Sequence, residues 1–142
     1  MVFARIVLAA ALLLTAYGAA GAALVTLETR AGVEQRLIQL RPDGPPVASV
    51  ILFAGGKGAL NLSSFLGVPA IGWGENNFLV RTRGLFAEQG FLVAVVDAPS
   101  DRLSKKGMLG GFRNSAEHVQ DIDAVIAYLR EQADVPVWLV GT

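Results

Sequence analysis

The sequence contains no cysteine, and His118 is the single histidine among its 142 residues. Without thiols the chain can form no disulfide framework, no thiolate metal site and no cysteine nucleophile. One histidine is too few for a His-rich metal cluster, so we expect no metal site of that kind. His118 could pair with Asp121, three residues further along a predicted helix, but we expect a structural role for it rather than a catalytic one.

The sequence also lacks a net charge, because twelve Lys and Arg residues balance twelve Asp and Glu residues. A protein that binds nucleic acid usually carries an excess of positive charge, so we expect no nucleic-acid partner. Hydrophobic residues make up 53% of the chain, which excludes intrinsic disorder. The length predicts one globular domain or part of one.

The N-terminus has the pattern of a secretory signal. Arg5 is followed by an unbroken apolar run at residues 6–14 and then by small residues. A positively charged N-terminus, a short apolar stretch and a cleavage site of small residues are typical of a signal peptide that is removed. We therefore predict a signal peptide at residues 1–23, cleaved near Ala22 or Ala23, and export to the periplasm or the medium.

An uncleaved membrane anchor is the alternative for this segment. No charged residue interrupts residues 6–27, a span that approaches the roughly 20 apolar residues of a membrane helix. Such an anchor would be the chain's only predicted contact with a membrane.

Alternating strands and helices are predicted for the rest of the chain. Strand-like runs at residues 24–29 and 35–40, joined by a turn at Gly32, indicate an antiparallel hairpin at a sheet edge. Apolar runs typical of strands buried on both faces follow at residues 47–53, 91–96 and 137–140.

Two helices are predicted between these strands. Asn76 or Asn77 can cap the first, which Gly90 ends, and a capping box that starts at Asn114 opens the second. Because strands that alternate with helices form parallel crossover units, the sequence predicts an α/β sheet with helices on its faces.

Ligand chemistry in such a sheet is expected beyond the carboxyl ends of the strands. A glycine-rich loop, AGGKG, follows the first buried strand at residues 54–58. Its N–H groups could hold an anion, or the glycines could serve only a tight turn. Its spacing fits neither the P-loop nor the dinucleotide fingerprint, which argues against nucleotide binding. Asp97, at the end of the second buried strand, could orient a loop or a ligand, or cap the turn at Pro99.

The stretches VILFAGGKG, VVDAPSD and VWLVGT, in this order, resemble α/β-hydrolases. The resemblance covers residues 24–142 and implies the N-terminal portion of an α/β-hydrolase domain: an antiparallel edge hairpin, then parallel strands with flanking helices. It also implies that the AGGKG loop is the oxyanion loop.

The resemblance implies site residues as well. The backbone N–H groups of Gly56 and Lys57 would donate to the oxyanion, while Gly55 and Trp73 would contact the substrate. The family's loop carries a histidine, HGGG, that is absent here, and the family places its catalytic Ser, acid and His from the nucleophile elbow onward. None of these three would lie within residues 24–142.

We therefore expect a fragment of an exported serine hydrolase that acts on an ester, amide or similar acyl substrate. Its partner would be this small molecule, and the resemblance implies no metal and no cofactor. The 142 residues by themselves are expected to be inactive, and a sheet ending at residues 137–140 would leave a hydrophobic strand as an open edge. The alternative is a non-catalytic exported α/β binding protein or a gene remnant.

Overall fold

The computed structural model describes residues 21–104 and 106–142. The predicted signal peptide lies outside the described residues except for its last three. Within the described part of the chain, no helix has the length and apolar character needed to cross a membrane.

Seven strands and two α-helices make up the described chain. In order they are β1 (Ala22–Arg30), β2 (Val33–Leu40), β3 (Ala48–Phe53), β4 (Leu62–Phe65), β5 (Val68–Ile71), α1 (Phe78–Glu88), β6 (Phe91–Val96), α2 (Ala116–Gln132) and β7 (Val137–Gly141). Two 3-10 turns, Ser100–Arg102 and Phe112–Asn114, lie between β6 and α2.

The main sheet has five strands in the order β1-β2-β6-β3-β7. β1 pairs with β2 and β2 with β6 in antiparallel fashion, whereas β3 is parallel to both β6 and β7. The predicted edge hairpin, parallel strands and crossover helices are therefore confirmed.

Two hydrophobic cores cover the two faces of this sheet. Alternate residues of β3 and β6, such as Val50 and Val93, pack with Val80 of α1 on one face. The residues between them, such as Ile51, pack with Val125 of α2 on the other face. Because successive side chains of a strand point to opposite faces, both strands need apolar residues throughout, as the sequence indicates.

Both predicted helices are present, and one of their caps differs from the prediction. The Asn77 side chain accepts hydrogen bonds from the first turn of α1, as expected. The prediction of Asn114 as the cap of α2 is wrong, because Asn114 belongs to the preceding 3-10 turn. Ser115 caps α2 instead, and its hydroxyl accepts a hydrogen bond from the His118 N–H at 3.2 Å.

A small antiparallel hairpin, β4–β5, was not predicted. Leu66 (φ 49°) and Gly67 (φ 80°) join its strands, and two consecutive positive φ values indicate a type I′ turn. Arg36 of β2 donates to the Leu62 carbonyl at 3.1 Å, which ties the hairpin to the main sheet.

β7 differs from the prediction of a strand buried on both faces. It pairs with β3 along one side, and within the described chain no strand pairs with its other side. Trp138 and Leu139 are 61% and 53% exposed. The apolar run has the composition of an interior strand but lies at an edge of the sheet that the described residues form.

Candidate functional site

The glycine-rich loop at residues 54–58 follows β3 at the carboxyl edge of the parallel strands. Gly56 (φ 61°) and Gly58 (φ 64°) adopt left-handed backbone conformations that residues with a Cβ rarely adopt. The glycines therefore set the path of the loop.

Two carbonyl groups of this loop accept hydrogen bonds from inside the protein. The Gly55 oxygen accepts a hydrogen bond from the Gly58 N–H at 3.2 Å, and the Lys57 oxygen accepts one from the Met108 N–H at 2.8 Å. Gly107 must be glycine for this contact, because a Cβ there would lie 2.3 Å from the Lys57 oxygen.

The N–H groups of Gly56 and Lys57 are available to donate to a ligand. Across residues 21–104 and 106–142, no hydrogen bond has the N–H of Gly56 or Lys57 as its donor. Both residues are exposed. A pair of adjacent free N–H groups suits a negatively charged oxygen.

The carboxyl end of β7 lies against the same loop. Gly141 is paired with Phe53, the last residue of β3. A Cβ on Gly55 would lie 2.7 Å from the Thr142 hydroxyl oxygen and 2.8 Å from the Thr142 carbonyl oxygen. The close approach requires glycine at position 55, and it brings the end of β7 beside the free N–H groups.

Two adjoining cavities border the loop. A cavity of about 540 Å³ is lined by Lys57, Ala59, Trp73, Leu103 and Ser104. A cavity of about 330 Å³ shares Lys57, Ala59 and Trp73 with it, and includes Gly55. Volumes of this order are typical of small-molecule sites.

Asp97 holds the segment that follows the loop. It is 4% exposed, and its carboxylate accepts hydrogen bonds from the N–H groups of Leu60 (2.6 Å), Asn61 (3.2 Å), Leu62 (2.8 Å) and Ala98 (2.8 Å). Of the two roles considered from the sequence, the structure shows that Asp97 orients a loop.

Leu60 connects Asp97 to Trp73, which lines both cavities. The Leu60 carbonyl accepts hydrogen bonds from the Gly72 N–H at 3.0 Å and the Trp73 N–H at 2.8 Å. Asp97 therefore positions Leu60, and Leu60 in turn positions the backbone of Trp73.

An ion-pair network lies close in sequence to Leu103 and Ser104, which line the larger cavity. The Arg30 guanidinium contacts both carboxylate oxygens of Asp121 at 2.8 and 2.9 Å, and both oxygens of Asp101 at 3.0 Å. The Thr29 hydroxyl also donates to Asp121. The Asp101 pKa is held below its ordinary value, chiefly by the hydrogen bonds from Arg30.

His118 lies in an aromatic environment outside the two cavities. Its ring centroid is 6.2 Å from that of Phe53 and 5.6 Å from that of Phe112. Burial lowers its pKa below 6.5, with a smaller opposing effect of Asp121 and a further lowering by Arg113. The side-chain pair with Asp121 considered from the sequence is not formed, because Arg30 and Thr29 occupy that carboxylate.

We expect this histidine to make the protein less stable in mild acid. Below pH 6.5 the unfolded chain gains a proton that the folded chain resists, so the free energy of unfolding falls until the lowered pKa of the folded state is passed. Urea denaturation at pH 7.5, 6.5 and 5.5 would measure the loss, and H118F should remove it. Because the chain has a single histidine, an unchanged pH dependence in H118F would contradict this assignment.

The structure brings the predicted site residues together. Gly55, Lys57 and Trp73 line one cavity, and Gly56 lies between the first two in the loop. Sequence reasoning missed Leu103 and Ser104, which line the larger cavity. Their sole sequence signal is their place in the loop after β6, which also lies at the carboxyl edge of the sheet.

Comparisons with known proteins identify related folds. No family model matches the chain, and no curated protein matches it. A solved structure described as an alpha-beta serine hydrolase homologue from Coxiella burnetii is 18% identical, with a TM-score of 0.49. Est1E from Butyrivibrio proteoclasticus is 12% identical, with a TM-score of 0.50.

These likenesses cover most of this chain but only part of the other proteins. The alignments include 83% and 84% of the present chain, and 50% and 40% of the Coxiella and Butyrivibrio chains. The likeness to Est1E, with its TM-score of 0.50, agrees with the predicted resemblance at the level of the fold, which is all that an identity of 12% shows.

Proposed function

We propose that residues 24–142 form the N-terminal portion of the catalytic domain of an exported serine hydrolase. The observation that carries this proposal is the position of the free N–H groups of Gly56 and Lys57 beside the end of β7 at Thr142. In the α/β-hydrolase fold, the nucleophile follows the strand that corresponds to β7, and the oxyanion loop lies next to it.

The proposed reaction is acyl transfer to a serine and then to water. The serine oxygen bonds to the acyl carbon while a base takes its proton, and the carbonyl electron pair moves onto oxygen. The N–H groups of Gly56 and Lys57 donate to this oxyanion. The intermediate then expels the protonated alcohol or amine, and water releases the acid and restores the serine. The serine, the base and the acid are supplied by residues outside 24–142 in this proposal.

A serine-reactive fluorophosphonate tests the proposal on the product of the natural gene. We expect one covalent adduct on a serine that follows the segment corresponding to β7. G55V should slow labelling by about 100-fold, because its side chain displaces the loop from Thr142. G44A is the matched control, since a Cβ at Gly44 meets no atom within 4 Å.

Absence of an adduct on the folded gene product would contradict the proposal. It would favour the alternative of a non-catalytic exported α/β binding protein.

Export is part of the same proposal and rests on the sequence of residues 1–23. N-terminal sequencing of the protein recovered from its natural host should give a first residue near Ala23 or Leu24. Recovery in the membrane fraction with Met1 intact would instead support the uncleaved anchor.

A further inference from the structure

Several backbone carbonyls around the two cavities accept hydrogen bonds from other groups of the protein. The Leu60 carbonyl accepts from two N–H groups of the β5–α1 connection, and the Gly74 carbonyl accepts from the Asn77 N–H at 2.9 Å. The Ala54 carbonyl accepts from Arg113 at 3.2 Å. Together with the carbonyls of Gly55 and Lys57, these acceptors are already bonded within the protein.

Several donor groups beside these carbonyls have no acceptor among the described residues. The N–H groups of Gly56 and Lys57 have no acceptor among the described residues. The Asn77 side-chain oxygen is used by the N–H groups of Leu79 and Val80, which leaves its NH₂ group free to donate. A ligand rich in hydrogen-bond acceptors matches this set.

The charges of the residues that line the cavities also favour a negatively charged ligand. Lys57 lines both cavities, and among the described residues that line them no Asp or Glu occurs. The Asp97 carboxylate lies behind the loop, with its oxygens bonded to backbone N–H groups. An anion at Lys57 would therefore meet a positive charge and free donors without a facing carboxylate.

The remaining wall is apolar. Trp73, which is 49% exposed, and Leu103 line the larger cavity together with Ala59. An aliphatic or aromatic group placed there would remove their apolar surface from water.

We propose that the joined cavities bind a carboxylate with an apolar body of medium length. The carboxylate lies at the free N–H groups and the Lys57 ammonium, and the body lies between Trp73 and Leu103. This inference rests on the proposed function and names its substrate class: the bound anion is the released acid, and the substrates are esters or amides of such acids.

Fluorescence of Trp73 measures this binding on the full chain. The sequence has two tryptophans, so W138F leaves Trp73 as the single reporter. We expect a saturable change with octanoate. Octanamide, which has the same body without the charge, should bind at least fivefold more weakly, and acetate, which lacks the body, should give no saturable change.

Substitution of Lys57 distinguishes the contribution of its charge to binding from the contribution of the apolar residues. K57M should weaken octanoate about three- to fivefold, the range expected for a partly exposed ion pair, and leave octanamide unchanged. K57R should restore octanoate binding. K106M, which removes another exposed lysine, is the matched control.

Equal affinity for octanoate and octanamide would overturn the proposal, as would an unchanged affinity for octanoate in K57M. These outcomes are independent of phosphonate labelling. A protein that binds octanoate as expected but has no reactive serine would retain the carboxylate site and lose the hydrolase function.

Discussion

Replacement of Asp97 with alanine is expected to lower the free energy of unfolding by about 3–5 kcal/mol. The substitution removes the acceptor of four backbone N–H groups, those of Leu60, Asn61, Leu62 and Ala98. Asp97, Leu60 and Leu62 are buried, so water replaces the lost hydrogen bonds incompletely. Urea denaturation of D97A and of the unsubstituted protein, under the same conditions, would measure the loss.

The same substitution should release the segment that carries Trp73. Hydrogen exchange of the Leu60 and Leu62 amides should become faster in D97A under conditions in which the protein remains folded. D97N keeps one oxygen and should lose about half as much stability, whereas D43A, at an exposed position, should change little. If D97A were as stable as D43A, or if the two amides kept their protection, the positioning role of Asp97 would be excluded.

The order of the main elements could be predicted from the sequence because each has a local signal. The apolar runs of β3 and β6 require cover on both faces, and Asn77 is a favourable cap before a helical pattern. The predicted cap of α2 was one residue too early, since Asn114 and Ser115 are both good caps. The 3-10 turn that ends at Asn114 has no clear sequence pattern.

The hairpin β4–β5 could not be predicted, since its local signals are weak. Its turn has Leu66 where Asn or Asp is usual before glycine. Its second strand contains Pro69, a residue disfavoured within strands.

The candidate site was predicted only in part, for a different reason. The glycines of the loop are visible in the sequence, but the contacts that position it are not. Asp97 lies 37 residues from Leu60 along the chain, and Arg30 lies 71 residues from Asp101. No spacing rule joins such residues, because the sheet order brings them together.

Replacement of Arg30 with methionine should be the second strongly destabilising change, with a loss of about 3–5 kcal/mol. The Asp121 side chain is fully buried, and Arg30 is its cationic partner. Without the guanidinium, the Thr29 hydroxyl is the remaining side-chain donor to that carboxylate within the described residues. A buried charge without its partner is costly, so R30M should unfold at a markedly lower urea concentration, while R130M, at an exposed position of α2, should not.

A double variant distinguishes the buried charge from lost packing. If the unpaired carboxylate causes the instability, R30M with D121M should be more stable than R30M, because no uncompensated charge is then buried. Equal stability of the single and double variants would assign the loss to packing instead.

The ion pair between Arg30 and Asp101 should also affect two other quantities: the free energy of unfolding at acid pH and the binding of ligands in the larger cavity. Arg30 lowers the pKa of Asp101 in the folded protein, so the stability that this pair contributes is present above pH 3.8 and is lost as pH falls through the lowered pKa. R30M should therefore flatten the pH dependence below 3.8. Because Asp101 lies two residues before Leu103, which lines the larger cavity with Ser104, R30M should also weaken octanoate and octanamide equally. K57M, in contrast, should affect octanoate alone, which separates the positioning of the apolar wall from recognition of the charge.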